Sequence, residues 1–261
     1  DDRTAKAISD LYKGIHAPEV VAPVEVAEGV KYADNAWHAM KVGFANELGN
    51  ILKEHDVDSH KVMDIFFLDT KLNISKAYLL PGFAFGGSCL PKDVRAIRAS
   101  AKQKGLNTPI FDSLLSANDE QVHRALEMIR ATGRKKIGML GLSFKAGTDD
   151  LRESPLVTLA DKLLADGFEL TVYDPSVFEA SNMEGANQNY IRNGIPQISK
   201  CLVETPEQIL AQCDLFVIGN HGEDFAQIIA KADHSVPVID LVRLKNAGAM
   251  EERKAYAGIC W

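Results

Sequence analysis

KIGMLGLSFKAGTDDLRESPLVTLADKLLADGFELTVYD, residues 136–174, decides the fold of this chain. It reads as strand, loop, helix, strand. KIGMLGL (136–142) is a short apolar run of the kind that fills a strand buried on both faces. Ser154 is placed to cap a helix, Pro155 suits its first turn, and Gly167 stands just past its end. Between them Leu156, Leu159, Ala160, Leu163 and Leu164 recur at helical spacing and make one apolar face. ELTVYD (169–174) returns as a second strand, so the stretch predicts a parallel βαβ unit.

Toward the C-terminus the pattern repeats. Thr205-Pro206-Glu207-Gln208 has the spacing of a capping box. DLFVIG (214–219) and VPVIDL (236–241) are two more buried-strand runs, and residues 256–261 suit an edge strand. The second half is expected to be a doubly wound α/β domain that binds ligands at the carboxyl ends of its strands. Its first loop, SFKAGTDDLRES (143–154), lacks the G-x-G-x-x-G pattern of dinucleotide sites. It carries Lys145, Gly147 and Arg152 and runs into a helix N-terminus. Two readings stand: an anion site, or a solvated loop whose cations pair with Asp149, Asp150 and Glu153.

Toward the N-terminus the periodicity is helical. From Glu25 to about His55 there is no proline or turn cluster, which predicts one helix roughly 45 Å long. Further helices are expected at 59–68, at 91–104 and from near Phe111. Lys31, Asn35, His38 and Asn46 lie on one side of the long helix. A solvent face is usually rich in Glu and Lys, whereas this row has a single charge, so it reads as a substrate-facing wall; the alternative is a solvent stripe.

GFAFGGSCLPKD (82–93) sets Cys89 between a glycine-rich loop and a proline-led helix. Gly82, Gly86 and Gly87 allow tight turning and close approach to a ligand. Cys89 would stand at a helix N-terminus, whose unpaired N–H groups favour an anion, with Lys92 nearby. The alternative is a small buried hydrophobe.

Composition excludes several classes. The chain has 261 residues, 46% hydrophobic, and a formal charge of −7, with no basic run that would coat a nucleic acid. No apolar stretch reaches the ~18 residues of a membrane span, and DDRTAKAISD does not read as a signal peptide. The four cysteines, Cys89, Cys201, Cys213 and Cys260, show no metal-ligand spacing. Free thiols and a cytoplasmic location are expected, with no metal.

The blocks at 24–51, 81–93 (PGFAFGGSCLPKD) and 141–157 (GLSFKAGTDDLRESPLV), with the closing GICW, resemble the nucleotide-sugar 6-dehydrogenases, the UDP-glucose/GDP-mannose dehydrogenase family. Within it the likeness is greater to members that act on GDP-mannose than to those that act on UDP-glucose. The resemblance implies a helical central domain (1–116) for catalysis and dimerisation, then a Rossmann-like nucleotide-sugar-binding α/β domain (117–261). It implies a preceding NAD-binding domain that this sequence does not include. The implied chemistry is oxidation of a sugar primary alcohol to a carboxylate, giving GDP-mannuronate for alginate, by two hydride transfers to NAD. Cys89 matches the nucleophile that forms a thiohemiacetal and then a thioester. Lys31 and Asn35 match the pair that stabilises oxygen charge, and Asp93 the residue that positions or activates water. His38, Asn46, Tyr78, Phe83, Gly86 and Lys145 match nucleotide-sugar contacts, and Lys92 and Arg152 contacts to NAD. A tyrosine and an arginine of the family pattern are replaced by Ala77 and Leu80. Two other readings are a non-catalytic module that binds the nucleotide sugar and dimerises through the long helix, and a cysteine hydrolase using His38 as base.

Overall fold

The computed structural model describes residues 2–15, 17–53, 55–57, 59–75, 82–183, 186–244, 253 and 255–260, with some side chains inside the helices left undescribed. The chain divides into two units, Asp1–Ser59 and His60–Trp261. The first holds α1 (Asp2–Tyr12) and α2 (Val24–Lys53), the latter being the single long helix that the proline-free run predicts.

The division falls at the first residue of α3 (Ser59–Phe66), and the second unit continues with α4 (Leu90–Gln103) and α5 (Pro109–Ala131). Then β1 (Lys136–Leu140), α6 (Pro155–Ala165) and β2 (Glu169–Tyr173) make the expected βαβ unit. The helices α7 (Pro175–Asn182), α8 (Ala186–Asn189), a π-helical turn (Tyr190–Gly194) and α9 (Pro196–Ser199) follow. The chain continues through α10 (Pro206–Gln212), β3 (Leu215–Ile218), α11 (Phe225–Lys231), β4 (Val238–Asp240) and β5 (Tyr256–Gly258). The helices between Pro175 and Ser199 carry too few turns each for a periodicity to show in sequence.

The five strands are all parallel, in the order β2-β1-β3-β4-β5. Because side chains alternate across a strand, each buried run feeds two cores. Ile137, Met139, Leu215, Val217 and Ile239 join one core with α5, α6 and α7. Leu140, Phe216, Ile218 and Val238 join the other with α10 and α11. Each fully buried Leu or Ile adds about 1.5–3 kcal/mol, which is why the runs are apolar on both faces. Gly138 sits where a Cβ would come within 2.8 Å of Ile209 and 2.9 Å of Phe216, so β1 needs glycine for α10 to pack.

The capping box at α10 is present: Gln208 Oε1 accepts the Thr205 N–H at 3.0 Å. Ser154 departs from expectation. It occupies the N-cap of α6, yet its hydroxyl caps nothing and instead donates to the Leu142 carbonyl at 2.7 Å. A cap would satisfy one N–H at the helix start; this bond ties both ends of the β1–α6 loop together.

One helix runs from the loop region into the sheet. Val122, Ala125, Leu126 and Ile129 of α5 are buried in the first core. The first turns of the same helix pack on α4 through the Arg98–Asp112 ion pair, at 2.8 Å.

Candidate functional site: a cysteine loop docked on the switch-point loop

The order of the sheet reverses between β1 and β3, and a parallel sheet opens a crevice at that point. Gly141 leaves β1 there with φ +89, and a Cβ on it would lie 2.5 Å from the Asn220 side chain. Asn220, just past β3, donates to the Ser143 carbonyl at 3.1 Å. Asp174, buried at the end of β2, accepts the N–H groups of Leu142 (2.8 Å) and Ser143 (3.1 Å), the Ser143 hydroxyl (3.3 Å) and the Val177 N–H (3.3 Å). In dinucleotide domains an acidic residue at this strand end reads a ribose. Here the carboxylate is consumed by the β1–α6 loop, in keeping with the missing glycine fingerprint.

Further along that loop, Lys145 is exposed and makes no ion pair among the described residues. Its carbonyl accepts the hydroxyls of Ser143 (2.9 Å) and Thr148 (2.7 Å), which shapes the turn around Gly147. Arg152 forks onto Asp150 with two 2.8 Å bonds. That bonding holds the Asp150 carboxyl below its ordinary value near 3.8. The two sequence readings of the loop therefore divide between residues: Arg152 is paired within it and Lys145 is not.

The cysteine loop lies against this one. A Cβ on Gly86 would meet the Glu153 carbonyl and Pro155 Cδ at 2.5 Å, so only glycine permits the approach. Gly87, at φ +87, has the Phe144 ring 3.0 Å from its Cβ position and donates its N–H to the Glu153 carbonyl at 3.3 Å. Glu153 itself has φ +55, a conformation costing a non-glycine residue about 1 kcal/mol or more. Its side chain is gripped by Arg95 of α4 at 2.8 and 3.3 Å. Both loops thus meet at one strained residue.

Cys89 ends the loop at the N-cap of α4. It is exposed, which rules out the buried-hydrophobe reading. Its carbonyl accepts the Asp93 N–H at 2.9 Å, and Asp93 lies beside Lys92 at 3.4 Å with both side chains largely in solvent. Such a pair stabilises little. Phe83 is half-buried and packs on the first core. Cys201 and Cys213 are partly buried, and that burial pushes their thiols up.

Of the residues picked from sequence, the second unit therefore brings together Phe83, Gly86, Cys89, Lys145 and Arg152 on two touching loops, with Lys92 and Asp93 in the first turn of α4. Lys31, Asn35, His38 and Asn46 lie on α2, and their side chains fall outside the described residues, as does Tyr78 with Ala77 and Leu80. Sequence reasoning missed Glu153 as the junction, Asp174 as the loop's anchor, and Asn118 with Gln121 on α5. Asn118 bonds both main-chain groups of Phe85, and Gln121 bonds the Gly82 carbonyl. The available signal was a pair of amides one turn apart just before the buried stripe of α5. Among the described residues no helix is long and apolar enough to cross a membrane, and no group of side chains is arranged to hold a metal.

Comparison with known proteins gives the chain a family. Residues 25–120 match the model of the UDP-glucose/GDP-mannose dehydrogenase family, central domain, and residues 138–246 that of the family's UDP binding domain. The chain is 45% identical over its whole length to proteins named GDP-mannose 6-dehydrogenase from Pseudomonas putida and Pseudomonas aeruginosa, of which it covers 59%. It is 33% identical over 87% of its length to a UDP-glucose 6-dehydrogenase from Haloferax volcanii, covering 51% of that protein. A crystal structure of a ternary complex of the Pseudomonas aeruginosa GDP-mannose dehydrogenase superposes with a TM-score of 0.93, covering all of this chain and 59% of that one. The chain thus spans between about half and three-fifths of the length of these relatives, and it belongs to the UDP-glucose/GDP-mannose dehydrogenase family.

Proposed function

We propose that this chain is the helical and nucleotide-sugar-binding part of an NAD-dependent GDP-mannose 6-dehydrogenase. The observation that carries the reading is the exposed Cys89 at the head of α4, on a loop locked to the β1–α6 loop. The division at residues 116/117 into a catalytic and dimerising part and a nucleotide-sugar-binding part belongs to the same proposal.

NAD supplies the hydride acceptor for the oxidations at sugar C6. The residues present fit a cofactor held mainly by another domain: the sheet's own dinucleotide features are absent, while Lys92 and Arg152 are exposed cations suited to phosphate contact. After the alcohol is oxidised, the Cys89 thiol adds to the aldehyde carbon, forming the C–S bond of a thiohemiacetal. The aldehyde cannot then escape. Loss of a second hydride and a proton leaves a thioester, and water opens it to the carboxylate and the free thiol. Asp93, one turn into α4, orients that water and takes its proton. Lys31 and Asn35 stabilise the charge on the reacting oxygen. Lys145, exposed and without an ion pair among the described residues, meets a phosphate of GDP-mannose, while His38, Asn46, Tyr78, Phe83 and Gly86 enclose the remainder. The product, GDP-mannuronate, would serve alginate synthesis in the cytoplasm.

Assembly belongs to the same reading. Val26, Val30 and Trp37 of α2 are exposed and share one helix side, an apolar stripe suited to a second copy of the helix. The reaction reading is tested by stoichiometry in the protein joined to its NAD-binding domain. GDP-mannose should yield two NADH per sugar, and Cys89→Ser should stop before the carboxylate. A single NADH with free aldehyde released by the unaltered protein would overturn it.

A further inference from the structure

We propose that Asn118, on α5, is a positioning residue for Cys89, acting through the loop that carries the thiol. This inference rests on Cys89 being the nucleophile. The Asn118 Oδ1 accepts the Phe85 N–H at 2.8 Å, and its Nδ2 donates to the Phe85 carbonyl at 2.8 Å. One planar amide thereby satisfies both main-chain groups of a residue that has no helix or strand around it. That is the pairing a neighbouring strand would otherwise give. One turn later, Gln121 Nε2 donates to the Gly82 carbonyl at 2.5 Å and lies 3.3 Å from the Cys260 sulfur, whose thiol also faces that carbonyl, at 3.7 Å. One further turn on, Arg124 Nε donates to the Ile259 carbonyl at 3.0 Å.

These contacts tie the cysteine loop and the chain's closing segment to a helix whose next turns are buried in the sheet core. The loop is then fixed at Gly82, at Phe85 and, through Glu153, at Gly87, two residues before Cys89. A nucleophile displaced by about 1 Å loses on the order of a hundredfold in rate, so such anchoring matters to chemistry beyond its stability. The choice of side chain follows. Aspartate lacks the donor and sets a charge against the Phe85 carbonyl. Glutamine is a methylene too long, and alanine leaves both groups unpaired.

The test measures Asn118→Asp in two ways. Hydrogen exchange on this chain, read by peptide mass, should speed up about tenfold or more within residues 82–88 and stay unchanged in β1 and β3. In the enzyme carrying its NAD-binding domain, kcat should fall about tenfold or more while KM for GDP-mannose moves less than about twofold. Asn118→Ser, whose hydroxyl can meet one of the two groups, should fall between the two and serves if the aspartate variant does not fold. Exchange in 82–88 like that of the unaltered chain would overturn the proposal. So would a rise of equal size in β1 and β3, or a higher KM at constant kcat. If Cys89→Ser remains fully active, the reading of the reaction has failed, and the exchange measurement still decides whether Asn118 holds the loop.

Discussion

The two loops that meet at Glu153 are built on opposite plans. The β1–α6 loop is held by its own sheet: Asp174 from the end of β2, Asn220 from the end of β3, and Ser154 at its far end all bond back into it. The cysteine loop rests Phe83 on the first core, but its main-chain groups are held from outside, by amides on α5 and by the carbonyl of Glu153. The first is therefore as stable as the sheet, whereas the second is only as well placed as its contacts. The proposed function uses both: the rigid loop would bind phosphate in a set place, and the separately anchored loop would aim the thiol at the carbon to be oxidised.

The largest effect that would test this contrast comes from Asp174→Ala. It strands several buried N–H groups at once, and each orphaned group costs about 1–3 kcal/mol. A loss of about 3 kcal/mol or more in denaturant unfolding is expected, spread over the whole sheet domain. A loss under about 1 kcal/mol would mean that the loop does not depend on its sheet.

Gly86→Ala should come next. The new methyl group meets a carbonyl and a proline ring at 2.5 Å, neither of which yields as a flexible side-chain end would. Overpacking of this kind costs about 1–3 kcal/mol. Here the cost should fall on the contact between the loops, so hydrogen exchange should quicken in residues 82–88 while β1 keeps its protection. An effect distributed equally over both would erase the difference drawn between them.

The smallest effect concerns thiols. With iodoacetamide at neutral pH, the exposed Cys89 should be alkylated about tenfold or more faster than Cys213, as followed by peptide mass. Burial disfavours the Cys213 thiolate, so its folded-state titration lies above the ordinary thiol value. Its labelling should therefore rise mainly as the pH passes above 9, the reverse of what a depressed value would give. Equal rates at neutral pH would remove the distinction between a presented thiol and a packed one.

Much of the sheet domain was legible beforehand because a parallel strand buried on both faces leaves an unbroken apolar run, as KIGMLGL and DLFVIG do. The head of α4 was legible as well, from Pro91 following Cys89. The hydroxyl of Ser154 was misassigned because cap and carbonyl were both within its reach, and only the folded loop brings the Leu142 carbonyl near. Asn118 and Gln121 looked like ordinary polar residues of a surface helix. Their partners lie 33 and 39 residues away in sequence, and no local spacing reports such a contact.

By itself, then, the sequence determined the strand runs, the longer helices and the thiol at a helix head, since periodicity, caps and glycine positions are local physics; the family came from the resemblance of whole blocks. Tertiary structure decided what holds the thiol in place. Hydrogen bonds of main-chain groups in an irregular loop have no preferred sequence partner, and only packing selects which side chain arrives to meet them.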